Sequence, residues 1–407
     1  MTLLFLVSAI FIGFRMKINT GLVSILFSFA VGHFMLKLNA KAIIAGWPTN
    51  LFFMLMGMTF LFGIANVNGT LELISKKVSS MAKGNTRLLP VIFFIMTAVI
   101  SAPGPGAIVA TALMVPIGMA LAQEEGISEL LMGAMIISGS LAGGLSPLAA
   151  SGIIANTLAA TQGLDTAKTI FLSTLLVSTV MGAVFYFLFG GHRLNKKEGE
   201  VKSESLEFSS VQTLTLLVIL LVIAGILFLK LDIGLTAFSG AAILLLLRVA
   251  DEKKAIAAVP WSTLLLVSGV ALLINVVGIA GGINTLSNFL ASIMSERTSS
   301  AIMAVTAGLM SAVSSASGVV MPTLIPTVTS VAGHVGGGVT PNSLVSAIVV
   351  GAHMVTFSPL STLGALALAS SKDEQNKQRL FGQLLAVGFL SVLFGGALGL
   401  LGLYNLF

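Results

Sequence analysis

The groups in this chain that could do chemistry are hydroxyls, backbone polar groups and one histidine. Ser and Thr gather at four places where Pro and Gly interrupt long apolar runs. Two are short tips: Ser101-Ala102-Pro103-Gly104-Pro105-Gly106 and Ser314-Ser315-Ala316-Ser317-Gly318. Two are longer breaks: Gly143-Gly144-Leu145-Ser146-Pro147-Leu148-Ala149-Ala150-Ser151-Gly152 and Thr356-Phe357-Ser358-Pro359-Leu360-Ser361-Thr362-Leu363-Gly364. In the first tip and both longer breaks a proline removes a backbone donor, and the second tip is its Gly- and Ser-rich counterpart, so each run is expected to stop being helical there. In apolar surroundings an interrupted helix survives only where its freed N–H and C=O groups meet protein or a wet cavity. A restarting helix offers open N–H groups and partial positive charge, which suit a carboxylate. Stopping helices and hydroxyls offer oxygens, which suit a desolvated Na⁺. This chemistry nominates Ser101, Gly104, Gly106, Ser146, Ser151, Ser315, Ser317, His353, Ser358, Ser361 and Thr362 for substrate. Ser101, Gly143, Ser146, Ser314, Thr356 and Ser358 are the Na⁺ candidates. A tight turn or a plain Pro kink is the competing reading of each interruption taken alone.

His353 lies five residues before Ser358 and is the one titratable residue beside a break inside an apolar run. It reads either as an anion partner or protonation switch, or as a neutral ring hydrogen-bonded within the helix bundle. His33 sits in an apolar run without such neighbours, and His192 and His334 fall at loops or ends. Every Asp and Glu falls in an amphipathic stretch, a loop or a run end. An acidic proton relay, and the acidic metal ligands of a membrane enzyme, therefore lack their residues. The expectation is a carrier without cofactor, not an enzyme, with Na⁺ as the coupling ion and the proton as the alternative.

The elements that must position these groups are membrane helices. Of 407 residues, 56% are hydrophobic, 9% are charged and 43 are Gly, with a mean hydropathy of +1.05. Apolar runs near the ~20 residues that span a bilayer recur along the whole chain, and they lack the alternation of barrel strands. The fold class is an all-α polytopic membrane protein. Absence of Cys removes disulfide frameworks, thiolate nucleophiles and Cys-type zinc sites. The net charge of +6 marks cytoplasmic loops rather than nucleic-acid binding. Met1 to Phe14, apolar from the start, reads as a short first span and not as a cleaved signal.

An internal register of 212 residues places Val67 to Ser75 over Ile279 to Ser287, Leu145-Ser146-Pro147-Leu148 over Phe357-Ser358-Pro359-Leu360, and Gly106 over Gly318. Each half then parses alike: 2–14, 20–37, 49–66 with 68–84, 87–122, 128–160 and 167–190, against 211–229, 233–248, 260–277 with 280–296, 299–333, 342–370 and 380–402. If 87–122 and 299–333 are re-entrant hairpins, each half crosses five times and the second is inverted. That topology puts 16 of the 21 Lys and Arg on one side, which makes it the cytoplasmic side and turns both termini outward, in a plasma (inner) membrane. The first repeat is 1–190, with a scaffold at 1–84 and transport elements at 87–190. A cytoplasmic linker follows at 191–210. The second repeat is 211–407, with a scaffold at 211–296 and transport elements at 299–407. The amphipathic stretches 68–84 and 280–296 read as interfacial arms or surface helices.

Gly57-Met58-Thr59-Phe60-Leu61-Phe62-Gly63-Ile64-Ala65, followed by Asn68-Gly69-Thr70, resembles the N-terminal signature of the malonate/dicarboxylate carriers of the ion transporter superfamily. The Pro-Gly-Pro-Gly tip and both Ser-Pro-Leu segments are similar too. The resemblance implies an elevator carrier: a scaffold that holds a homodimer, and a transport domain of two hairpins and two unwound spans that carries anion and cation. Related divalent anion/Na⁺ symporters have Ser-Asn-Thr at both tips, and neither tip here has an Asn. Replacement of Ala149 and Ala150 by Ser361 and Thr362 predicts more hydroxyl contacts from the second half. The expected function is symport of a di- or monocarboxylate across the lipid bilayer. The alternatives are the membrane subunit of a binding-protein-dependent symporter, a Na⁺/H⁺ exchanger or an anion channel.

Overall fold

The computed structural model describes residues 2–79, 86–194, 207–371 and 374–406. Most of the expected 191–210 linker, with Lys196, Lys197 and Lys202, lies outside the described residues, as do Lys83, Lys372 and Asp373. Among the described residues the ordered elements are all helices, and seven are long and apolar enough to cross a membrane. Further apolar helices of 10–17 residues accompany them, including Leu89–Ser101, Glu129–Gly144 and Ser299–Ala312.

The 212-residue register reappears in the backbone. Thr49–Val67 and Trp261–Ile279 each have 19 residues, and each starts from a proline of nearly the same conformation, Pro48 (φ −78°, ψ 68°) and Pro260 (φ −78°, ψ 67°). Gly69 and Gly281 follow with φ of 75° and 76°, a left-handed turn that glycine adopts without Cβ strain. The amphipathic segments form Thr70–Ser79 and Gly282–Ser292. Both halves close on a left-handed glycine, Gly190 or Gly402, ahead of a single 3₁₀ turn.

Two pairs of helices cross at glycines. A Cβ on Gly269 would lie 2.2 Å from the Gly21 carbonyl oxygen, and one on Gly57 would lie 2.5 Å from that of Gly234. These contacts join Thr20–Phe29 to Trp261–Ile279, and Thr49–Val67 to Ile233–Leu246. The same device joins each hairpin arm to the long interrupted span behind it. Gly139 and Gly143 of Glu129–Gly144 sit against the carbonyls of Phe94 and Ala98, at 2.2 and 2.0 Å from a Cβ added to each. Gly351 of Pro341–Met354 sits against Ala304, at 2.1 Å. Removing the side chain lets backbones approach, which is how helices gain dispersion contact where lipid supplies no hydrophobic drive.

Several boundaries differ from those read in the sequence. The run 20–37 is α-helical to Phe29 and then forms a π-helix, Ala30–Met35, with Gly32 close against Ile43. Short helices Ala40–Ile44 and Glu252–Ala257 occupy loops, each started by an Asn39 or Asp251 side chain that caps a backbone N–H. The first hairpin has two continuous arms, Leu89–Ser101 and Gly106–Glu125, despite Pro116. The returning arm of the second is helical throughout but changes its winding, from a π-turn at Ala316–Val320 through Met321–Leu324 and a 3₁₀ turn at Ile325–Thr327 to Val328–Val335, where Pro322 and Pro326 each withdraw a donor.

Candidate functional site

The two long breaks have the same local construction. At the first, Ser146 N–H donates to the Gly143 carbonyl at 2.9 Å and Ala149 N–H to the Ser146 carbonyl at 3.1 Å. At the second, Ser358 N–H donates to Val355 at 2.9 Å and Ser361 N–H to Ser358 at 2.9 Å. The serine hydroxyl of each break also accepts from the backbone two residues on, Leu148 N–H at 3.3 Å and Leu360 N–H at 3.2 Å. Pro147 and Pro359 supply no N–H, so the serine side chain takes over part of the turn's bonding. Helices then restart at Ala150–Ala160 and Thr362–Ala369, and neither has a side-chain cap.

The second break, the second tip and the first restarting helix meet around a cavity of about 340 Å³. Ser314, Ser315, Ser317, His353, Thr356, Ser361, Thr362 and, from the first half, Ser151 line it. Ser311 completes the hydroxyls, with Ala107, Ile108, Ala312, Val313, Ala316, Leu360 and Leu363 as the apolar lining. Among the described residues no Asp, Glu, Lys or Arg lines it. Ser299–Ala312 and Pro341–Met354 end at the cavity, while Ala150–Ala160 and Thr362–Ala369 begin there. Carbonyl ends and N–H ends therefore face one space, with opposite partial charges.

The hydroxyls differ in what they have left to offer. Ser314 donates to the Met310 carbonyl at 2.6 Å and Thr356 to the His353 carbonyl at 2.5 Å, each in the helix just before it, so each turns oxygen lone pairs to other partners. Ser315 caps the π-turn by accepting from Gly318 N–H at 3.0 Å. Ser151 and Ser317 share a hydrogen bond of 2.8 Å between the halves. Among the described residues the side chains of Ser361, Thr362 and Ser311 make no hydrogen bond, and all three border the cavity. His353 is buried and contacts the Val349 carbonyl through Nδ1 at 2.7 Å.

Six sequence candidates stand apart from this cavity. Ser101 is fully buried and donates to the Ser140 carbonyl at 2.7 Å, and Ser146 donates to the Ala102 carbonyl. These bonds tie the first tip to the first break. Gly104 packs against Phe62 and Met58, Gly106 starts the returning arm at φ 74°, and Gly143 makes the close contact with Ala98. Ser358 is buried in its own turn, with Gly388 of the last helix close against it. The register pairs Gly106 with Gly318, yet Gly318 has no positive φ, because Ser315 already turns the chain there. Ser311 was not among the candidates, although it lies one helical turn before Ser314 and Ser315, a spacing that puts it on their face.

Residues 1–144 match the family model described as dicarboxylate carrier protein MatC N-terminus. The match covers about the first third of the chain. No curated protein matches the chain significantly. Among solved structures 22 chains match. One of them is the YdaH transporter of Alcanivorax borkumensis, whose structure is described as revealing an unusual topology. It aligns with a TM-score of 0.56 at 14% identity, over 91% of this chain and 88% of that one. The chain thus shares the fold of that transporter, and seven of its described helices are long and apolar enough to cross a membrane.

Proposed function

We propose that the protein is a secondary active carrier that moves a small organic anion, a di- or monocarboxylate, in symport with Na⁺. The observation that carries this reading is the cavity itself. Two uncapped helix N-termini and the unspent hydroxyls of Ser361 and Thr362 face a space on whose wall no described residue carries a fixed charge. Such donors hold an anion without a compensating cation side chain, so the anion can be released again. Cation binding is assigned to two groups of oxygens. Ser314 and Thr356 present lone pairs at the cavity, with Ser358 buried in the adjoining turn. Ser101, Gly143 and Ser146 lie with the Ser140 and Ala102 carbonyls behind the first tip.

The matching starts, turns and breaks at 212-residue spacing support a duplicated chain. In the proposed topology each half has five spans and one re-entrant hairpin, and the second half is inverted. Both termini then face away from the cytoplasm. The glycine contacts divide the helices into two sets, Gly21 and Gly57 with Gly269 and Gly234 in one, Gly139 and Gly143 with Gly351 in the other. The first set belongs to a scaffold at 1–84 and 211–296 that pairs two subunits. The second belongs to a transport unit at 87–190 and 299–407 that moves as an elevator.

The test is uptake of radiolabelled malonate, succinate and citrate into proteoliposomes, with and without an inward Na⁺ gradient. Saturable accumulation that requires Na⁺ is expected. Accumulation driven equally well without Na⁺ removes the cation assignment, and no uptake of any of the three removes the carboxylate reading.

A further inference from the structure

Among the described residues four that are not glycine hold a left-handed backbone: Lys17, Lys37, Lys230 and Arg248, with φ of 56°, 56°, 53° and 56°. A side chain is strained in that conformation, and Gly or Asn ordinarily takes the position at a helix end. Lys and Arg are only 21 of the 407 residues, so four basic residues at four such positions require a cause. The positions also follow the duplication. Lys17 and Lys230 are 213 residues apart and Lys37 and Arg248 are 211 apart, on either side of the 212-residue register.

Each of the four ends one helix and is followed within three residues by the Asn or Asp that starts the next. The corners read Lys17-Ile18-Asn19, Lys37-Leu38-Asn39, Lys230-Leu231-Asp232 and Arg248-Val249-Ala250-Asp251. The Asn19 and Asn39 side chains accept from Gly21 and Ala42 N–H at 2.9 and 2.8 Å, and those of Asp232 and Asp251 from Leu235 and Lys254 N–H at 2.8 and 2.9 Å. Behind three of the corners the ending helix is closed by backbone bonds, Leu38 N–H to Gly32 at 2.8 Å, Leu231 N–H to Gly225 at 3.3 Å and Val249 N–H to Leu244 at 3.2 Å. The turn therefore needs nothing from the basic side chain. All four residues are exposed, and among the described residues their side chains make no hydrogen bond or ion pair. A charge that served only the helix dipole would act as well within the last turn, free of left-handed strain.

The four corners all fall in the segments assigned above to the scaffold, 1–84 and 211–296. In the segments assigned to the transport unit every described residue with positive φ is a glycine, including Gly126, Gly190, Gly336 and Gly402 at helix ends. Building on that division, we propose that each basic corner seats the phosphate of a bilayer phospholipid. A phosphodiester is the anion met by a helix end at either membrane surface, and an unpaired Lys or Arg complements it while its stem lies along apolar surface. Ile18 and Leu231, next in the chain, are 43% and 47% exposed and belong to the hydrocarbon beside the headgroup. In the topology above Lys17 and Arg248 hold the cytoplasmic leaflet and Lys37 and Lys230 the opposite one. The scaffold is thus fixed in depth from both faces, and the transport unit turns its corners on residues with no side chain to be held.

The experiment is thermal unfolding of the full-length protein in detergent, alone and with phosphatidylethanolamine and phosphatidylglycerol added to the micelles. Lipid should raise the melting temperature of the parent, whereas a diacylglycerol with the same acyl chains, or inorganic phosphate, should not. Lys17→Gly, Lys37→Gly, Lys230→Gly and Arg248→Gly combined relieve the left-handed strain, so without lipid this variant should melt no lower than the parent. With lipid it should lose most of the parent's rise. The same four positions changed to Gln keep the strain without the charge, and that set should lose the rise too, whether or not the glycine set folds. Lys168→Gln alters an exposed lysine in the first turn of Ala167–Leu188 and should keep the rise in full. A rise in the substituted sets equal to the parent's overturns the proposal, as does no rise in the parent. An equal loss in Lys168→Gln overturns the assignment to the corners. An equal rise with diacylglycerol or with inorganic phosphate overturns the phospholipid phosphate as the partner. The readout involves no uptake, so failure of the symport reading and failure of this one are told apart.

Discussion

The hydrogen bond between Ser151 and Ser317 joins the first restarting helix to the second tip, across 166 residues of sequence, at the wall of the cavity. If the tip must leave that helix for a solute to enter, this bond weights the equilibrium toward the closed form. Both serines are half-buried beside open space, so water replaces the lost partner after truncation. The net worth of such a bond is then about 1 kcal/mol. Loss of about 1 kcal/mol shifts the closed-to-open ratio about fivefold. The chain has no Cys, so a single Cys introduced at Ala312 on the cavity wall reports access without background. In that background, Ser151→Ala or Ser317→Ala should each raise the rate of labelling by a membrane-impermeant maleimide about fivefold. The double variant should add little more, because the second truncation has no bond left to break. Rates within twofold of the parent in both single variants, or effects that simply multiply, would refute the reasoning.

Thr362→Ala removes a hydroxyl that no described residue uses, and loss of a hydrogen bond to a charged substrate is worth ~1.5–3 kcal/mol, so KM for uptake should rise about tenfold to a hundredfold with thermal stability unchanged. Ser101→Ala should behave differently: it raises the Na⁺ concentration for half-maximal uptake, leaves KM for substrate at saturating Na⁺, and lowers stability by ~1–3 kcal/mol, because the buried Ser140 carbonyl loses its donor. Gly364→Ala puts a Cβ 2.2 Å from the Ser358 carbonyl oxygen and must displace the second break. The overpacking costs ~1–3 kcal/mol and should abolish uptake, while Gly382→Ala, with no atom within 4 Å of its added Cβ, should leave uptake and melting temperature as they were.

The four interruptions were legible because proline and glycine act locally. Pro147 and Pro359 withdraw a donor whatever surrounds them, and the structure places a turn at each. The 212-residue register was legible for the same reason, since Pro48 and Pro260 start their helices with nearly identical dihedrals. The returning arm of the second hairpin was not. Pro116 stays inside a regular α-helix, whereas the winding changes around Pro322 and Pro326, and that difference depends on two prolines falling close together and on packing around them.

Sequence by itself determined that the chain is helical, membrane-embedded and without acidic or thiol chemistry in its apolar runs, because composition and local donor loss do not depend on partners. It also singled out the hydroxyl-rich second tip and break. Tertiary structure decided which of the candidates share a space. Symmetry in sequence suggested that both tips and both breaks serve alike. Packing instead turned Ser101 and Ser146 onto neighbouring carbonyls and pressed Gly104 against Phe62, while Ser151 reached across to Ser317. Which oxygen faces a cavity and which is spent on a backbone carbonyl follows from the rotation of a helix against its neighbours. That rotation is set by where glycines let two backbones touch, and spacing along one chain does not contain it.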